Sequence, residues 1–337
     1  MPRLLMDAVI RRVLPIVAVL AVLAGAVHAR GAAAATPKAT PSPTKGVVII
    51  NTNLGLQNGA AAGTGIVLTK DGEVVTNNHV IAGATAIKVI VPATKRSYVA
   101  DVVGYDISDD IAVLKLEAAS SLATATVGNS AKLKKGQPTR AVGNANGTGK
   151  LVTTSGKILA LNQTIQVQQD DGEVVRLASL VKTSARLVPG DSGGPLIDKS
   201  GYVIGIDAAG SASVGSTSAP GYAISINHAL ALVRQIAALR ASTLVHIGAT
   251  AFVGLQVKDA TGGVAVQVVV PGSPAESSGL VQGDVLTSID GTPLSSFKDL
   301  RTILFGHHPG DSITIGYTDP LGNASTATLA LASGPPQ

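Results

Sequence analysis

From residue 47 onward the chain alternates short apolar runs with clusters of Gly, Asn, Asp and Ser. The runs at residues 47–51, 65–68, 73–76, 86–91, 98–105 and 111–116 are rich in Val, Ile and Leu. β-branched residues in runs of this length, bounded by turn formers, predict strands rather than helices. Two longer runs at 151–167 and 174–183 continue the pattern, and a further pair, 196–198 and 202–206, is separated by Lys199-Ser200-Gly201. Many short strands at regular spacing predict closed or paired β-barrels, so the fold class is all-β over this part of the chain.

The period changes after residue 225. Leu230, Leu232, Val233, Ile236 and Leu239 fall on one face of a helix over 228–240, with Asn227 placed to cap it. Residues 242–249 read as a linker. Residues 250–331 form a second, α+β unit of about the size of an independent domain. At the other end, Arg3, Arg11 and Arg12 precede the apolar run 13–27, and Val27-His28-Ala29 offers small residues for cleavage, the layout of an export signal. Whether 1–29 is cut off or kept as an anchor that tethers the chain to a membrane stays open, and either way the rest lies outside the cytoplasm. Residues 30–45, mostly Ala, Pro, Thr and Ser, make an extended tether.

Composition narrows the chemistry. Hydrophobic residues at 45% and charged residues at 14% exclude general disorder, while only three Phe, five Tyr and no Trp leave the cores to Val, Ile, Leu and Ala. With no cysteine there is no disulfide, thiolate nucleophile or thiolate metal site. The net charge is +5 with no block of like charge, so nothing marks a nucleic-acid surface.

The densest chemical signal is Gly190-Asp191-Ser192-Gly193-Gly194-Pro195. Flanking glycines allow positive φ and close approach of a substrate carbonyl to Ser192. In such a turn the N–H groups of Gly190 and Ser192 converge where a tetrahedral oxyanion would form. The same letters fit the nucleophile elbow of α/β-hydrolases, with Asp207 and His228 as partners, but that motif needs a helix after the serine. Pro195 and the strand–turn–strand pattern that follows oppose it.

A serine nucleophile needs a base and a group that orients the base. Of six histidines, His79 alone lies inside the β region, at the end of the run 74–76. Asp106, Asp109 and Asp110 precede the apolar run 111–116; Asp110, adjacent to it, is the candidate orienter, and the other two read as turn formers. The order His79, Asp110, Ser192 is that of a chymotrypsin-type triad.

TNNHVI (76–81), DDIAVLKL (109–116) and GDSGGPL (190–196), together with GTGIVL (63–68), VIGI (203–206) and GYAI (221–224), resemble the HtrA (Deg) family of exported trypsin-like serine proteases. The resemblance implies a two-barrel protease domain over 46–241 followed by a PDZ domain over 250–334. It also implies no cofactor, unfolded or misfolded protein substrates, and a homotrimer for which the sequence carries no direct sign. Phe252-Val253-Gly254-Leu255 resembles the carboxylate-binding loop of a PDZ domain, and Leu300 and Ile303 the helical wall of its groove, so peptide C-termini are the implied ligands. A non-enzymatic alternative is a PDZ adaptor or holdase on a protease scaffold.

Three positions, Asp191, Arg186 and Asp207, depart from the family, Asp207 standing where relatives usually carry Asn. Asp191 stands where relatives often have Asn, and should accept hydrogen bonds from nearby N–H groups. Arg186 and Leu187 precede the nucleophile on the wall of the primary pocket, where Leu187 favours small aliphatic residues. Arg186 is expected to pair with Asp207 or to face solvent, the alternative being that it enters the pocket and selects acidic side chains.

Overall fold

The computed structural model describes residues 42–168, 174–210 and 220–337. The export segment at 1–29 and the tether up to residue 41 lie outside the described residues. Among these residues no helix is long and apolar enough to cross a membrane.

Six strands build the first barrel: β1 (Val47–Leu54), β2 (Gly59–Val67), β3 (Glu73–Thr76), β4 (Ala86–Val91), β5 (Arg96–Asp106) and β6 (Ile111–Leu116). They run in the order β5-β4-β1-β2-β3-β6, and pairing of β5 with β6 closes the ring. Closure gives each of the six strands a neighbour on both sides, but β5 runs on past the end of β4 and leaves an open edge at residues 104–106. Alternation decides what goes inside: along β5, Tyr98 and Ala100 are buried while Val99 between them is 56% exposed. Val48, Ile50, Val74, Val89 and Leu114 fill the interior.

The second barrel comprises β7 (Pro138–Gly143), β8 (Val152–Gln168), β9 (Val174–Thr183), β10 (Pro195–Asp198), β11 (Val203–Gly210) and β12 (Gly221–Ser225), closed in the order β10-β11-β12-β9-β8-β7. Pro195 opens β10, a position where its missing N–H costs little. Asp198 turns the chain into β11 by accepting the N–H groups of Ser200 at 2.8 Å and Tyr202 at 2.9 Å. Ile66, Val75 and Val113 of the first barrel pack with Val142, Leu180, Ile206 and Ile224 of the second in one core.

A single turn, α1 (Asn78–Ile81), follows β3 within the first barrel; residues 117–137 lead from β6 into the second barrel, and α2 (Ile226–Ala237) follows its last strand. Helix α2 buries Val233 and Ile236 in the shared core, each contributing about 1.5–3 kcal/mol. It starts earlier than its apolar period suggests. Ser225 occupies the N-cap position, and Asn227 instead donates to Asn129 Oδ1 at 2.9 Å and accepts the Ser130 N–H at 3.2 Å. A tertiary partner has outcompeted the local cap.

The stretch expected as a linker contains a strand, β13 (Val245–Ile247), added to the outer edge of β5. His246 within it is 2% exposed and stacks among Tyr105, Phe305 and His308. The terminal unit is α+β, with a six-stranded antiparallel sheet: Leu255–Ala260, Gly263–Val269, Val285–Ile289, Ser312–Thr318 and Ala324–Ala330 lie in that order, and Thr292–Pro293 pairs with Val285–Ile289. It carries α3 (Pro274–Ser277) and α4 (Phe297–Phe305), the latter opened by a reciprocal capping box between Ser296 and Asp299.

Candidate active site

Strand β3 delivers His79 to the rim of the first barrel, where the strand ends and α1 begins. Asp110 reaches it from the start of β6. Its backbone is left-handed, at φ 53°, a conformation that Asp tolerates better than most side chains. Asn77 donates its side-chain amide to the Asp110 carbonyl at 2.9 Å. The carboxylate is thereby aimed as a fork: Oδ1 accepts the His79 main-chain N–H at 2.9 Å and Oδ2 lies 2.8 Å from His79 Nδ1. An ionised carboxylate only accepts, so the Nδ1 that faces it carries a proton, and in the neutral ring the accepting nitrogen is then Nε2. The imidazole is 44% exposed and the carboxylate 8%.

The two neighbouring carboxylates have other work. Asp106 accepts Ser108 Oγ at 2.6 Å and the Asp109 N–H at 3.0 Å, closing its own turn, and burial pushes its pKa up. Asp109 lies 3.0 Å from His228 Nε2 on α2, and this contact, ahead of the opposing effect of burial, raises the His228 pKa. His228 is therefore engaged by Asp109, and Asp207 has no hydrogen-bond partner on either oxygen among the described residues, so the elbow constellation is not assembled. The residues after Ser192 form a strand, not the helix that motif requires.

Ser192 sits in the turn between β9 and β10. Gly193 adopts φ 81°, and a Cβ there would stand 2.1 Å from the Thr64 carbonyl oxygen; no side chain fits. Gly190 adopts φ 93°. The Pro189 carbonyl accepts the Asn146 N–H at 2.7 Å, which turns the trans N–H of Gly190 the opposite way. Among the described residues neither the Gly190 nor the Ser192 N–H has an acceptor. Ser192 Oγ donates to the Ala208 carbonyl at 3.2 Å.

Thr64 links the serine turn to the histidine strand. Its N–H donates to the Ser192 carbonyl at 2.9 Å, and its carbonyl accepts Thr76 Oγ1, from the end of β3, at 2.8 Å. The preceding Gly63 has no room for a side chain, since a Cβ there would lie 2.5 Å from Val80 Cγ1 on α1 and 3.3 Å from the Ser192 carbonyl oxygen. The side chain of Val80, next to His79, and the Ser192 carbonyl thus both crowd the space beside Gly63. In the sequence Thr64 has no signal beyond its place between two glycines in GTGIVL.

Asp191 caps its own loop, accepting the Val188 N–H at 3.0 Å, and desolvation raises its pKa. Asp207 clamps the turn through its main chain, donating to the Gly194 carbonyl at 2.7 Å and accepting the Gly193 N–H at 2.8 Å. Its carboxyl is fully buried; desolvation first, and the Asp191 charge second, push its pKa well above the usual range. The expected pairing with Arg186 is not formed. Residues 185–187 alternate buried, exposed, buried, which sends the guanidinium to solvent, where it needs no partner. Leu187 is buried instead, packed beside Gly221 of β12, and Asp207 lies under the turn rather than on an open pocket wall.

In the terminal unit, Gly254 at φ 91° turns the chain from Phe252 and Val253 into Leu255. Val253 and Leu300 are buried in that unit's core, while Phe252, Leu255 and Ile303 are half-buried. No group of three His, Asp or Glu suited to a metal occurs among the described residues.

A trypsin-like peptidase domain family matches residues 63–206, and a PDZ domain family matches 251–327. The serine protease Do-like HtrA of Lactococcus lactis subsp. lactis is 33% identical over 291 residues, covering 81% of this chain and 71% of that protein. Serine protease PepD of Mycobacterium tuberculosis is 31% identical, over 85% of this chain and 63% of its own length. The periplasmic serine endoprotease DegP of Escherichia coli K12 is 34% identical, over 76% and 54% respectively. The chain thus spans between about half and seven-tenths of these relatives. Among solved structures, the HtrA-type protease AlgW with a tripeptide superposes with a TM-score of 0.52 at 28% identity, covering 88% of this chain and 99% of that one.

Proposed function

The chain belongs to the HtrA family of trypsin-like serine proteases, and from that premise we propose that it is an exported endopeptidase of protein quality control acting through His79, Asp110 and Ser192. Ser192 Oγ attacks the scissile carbonyl while its proton passes to His79 Nε2. Asp110 fixes the tautomer and stabilises the imidazolium that forms. The N–H groups of Gly190 and Ser192 receive the developing oxyanion, an effect typically worth ~10²–10³ in rate per donor. The imidazolium then protonates the leaving amine, and a water molecule, deprotonated by the same histidine, releases the acyl group from Ser192. The observation that carries this reading is the Asp110 fork, which holds His79 by ring and main chain at 2.8 and 2.9 Å.

The substrates are unfolded or misfolded chains, cleaved after small aliphatic residues that a pocket walled by Leu187 admits. Peptide C-termini bind the terminal domain, spanning 250–334, between the strand that begins at Leu255 and helix α4. The periplasmic placement named for DegP supports export of this chain, with residues 1–29 as signal or anchor. A homotrimer is the assembly the family resemblance favours.

One observation favours the adaptor reading instead: Ser192 Oγ is turned to the Ala208 carbonyl. A fluorophosphonate probe separates the two. A working protease is labelled in the wild type and not in Ser192→Ala or His79→Ala, and digests casein. A wild-type protein that stays unlabelled and leaves casein intact is an adaptor.

A further inference from the structure

We infer that Thr64, through its hydroxyl, is the positioning residue of the oxyanion hole, bracing the peptide planes on both sides of Gly190 so that the Gly190 N–H stays exposed to the reacting carbonyl. The inference rests on the peptidase reading above. It starts from an arrangement that barrel packing does not require. Thr64 is fully buried, and its Oγ1 donates to the Gly190 carbonyl at 2.7 Å while accepting the Asn144 N–H at 2.9 Å. Both bonds cross from β2 of the first barrel into loops of the second.

Gly190 needs such a hold because its backbone lies in the left-handed region, where a glycine has several accessible orientations. Two peptide planes meet at its Cα. The preceding plane is pinned by the Asn146 N–H on the Pro189 carbonyl at 2.7 Å, and the following one by Thr64 Oγ1 on the Gly190 carbonyl. Thr64 also grips Asn144, two residues before Asn146, so one hydroxyl braces both pins. Its main-chain N–H, at 2.9 Å from the Ser192 carbonyl, fixes the second residue of the pair that receives the oxyanion. Donors aimed in advance at developing charge need no reorganisation during reaction, and loosening either pin forfeits that.

Removing the hydroxyl leaves a buried carbonyl and a buried N–H without their partner, and both belong to the loops that shape the hole. The effect falls on the transition state, where the oxyanion exists, and spares the ground state. Thr64→Val keeps the branched shape in the strand and removes only the bonding. Its kcat on a peptide substrate should fall about tenfold to a hundredfold with KM within about twofold. The affinity for a peptidyl boronate, which mimics the tetrahedral adduct, should fall by the same factor. Thr64→Ser restores both, because the hydroxyl and not the methyl carries the role. Thr64→Ala serves if Val is not accommodated.

A purely structural hydroxyl predicts otherwise. Thr139→Val, which removes the buried Thr139–Thr183 hydroxyl contact of 3.0 Å on the second barrel, gives the comparison: it should lower the urea midpoint without touching kcat or boronate binding. The inference is overturned if Thr64→Val lowers only the urea midpoint, as Thr139→Val does, or if Thr64→Ser is as slow as Thr64→Val. Fluorophosphonate labelling of the full chain keeps the two levels apart. An unlabelled wild type sinks the peptidase reading; a labelled wild type with an equally fast Thr64→Val sinks this inference alone.

Discussion

Replacing Asp110 by Asn changes one atom of the fork and should remove nearly all activity. Asp110 satisfies two donors, the His79 main-chain N–H and Nδ1–H, at 2.9 and 2.8 Å, with a side chain 8% exposed. An amide has one oxygen for those two donors. If its NH2 met the main-chain N–H, a part-buried donor would be left unmade at a cost of about 1–3 kcal/mol. Turning the NH2 to the ring avoids this, because the imidazole can shift its proton from Nδ1 to Nε2. That tautomer cannot accept the Ser192 proton. The lost carboxylate also leaves the imidazolium without its counter-charge, and together these should lower kcat by about 10⁴, or roughly 5.5 kcal/mol of transition-state stabilisation. Folding should change by under about 1 kcal/mol, since shape and one acceptor survive. The assay is single-turnover cleavage of a fluorogenic peptide beside Asp109→Asn, whose carboxylate faces His228, and a urea titration of each variant. Asp110→Asn retaining more than about a tenth of the rate, or Asp109→Asn losing as much, would refute the argument.

Asp207→Asn should flatten the pH dependence of stability. The folded state holds the Asp207 proton more tightly than the unfolded chain does, so its contribution is complete below the ordinary carboxylate value of 3.8 and is lost as pH rises toward the raised folded value. Urea midpoints from pH 4 to 8 should fall less in the variant, and parallel profiles would count against a buried neutral carboxyl. Gly193→Ala should destabilise by at least about 2 kcal/mol and abolish probe labelling, because φ 81° costs about 1–2 kcal/mol and the new methyl meets the Thr64 carbonyl. Arg186→Ala, at an exposed position, should shift stability by under about 0.5 kcal/mol. A peptide library should show the same cleavage preference with and without it; loss of a preference for acidic residues would reverse the view that this side chain faces solvent.

Local features of the sequence were sufficient for most strands of the two barrels, though no run marked β7 (Pro138–Gly143), and for the two classes of domain and the glycine-built serine turn. Strand identity follows from β-branched runs, and the turn from backbone conformations at residues 190 and 193 that only glycine adopts comfortably. Such requirements are written in neighbouring residues. The family was legible for the same reason, since its motifs are contiguous.

What the tertiary structure decided were contacts between segments far apart in sequence. Asn227 looks like a helix cap until Asn129 and Ser130 are beside it, and residues 245–247 look like linker until the edge of β5 is available to pair. Arg186 and Asp207 have opposite charges, but the first points to water and the second is buried beneath the turn. Thr64 is an unremarked strand residue until β2 meets the loops of the other barrel 126 residues later. In each case hydrogen-bond donors, acceptors or charges found partners, or burial, that no local pattern encodes. Their free energy depends on which groups the closed barrels bring within about 3 Å, and on how much water closure removes.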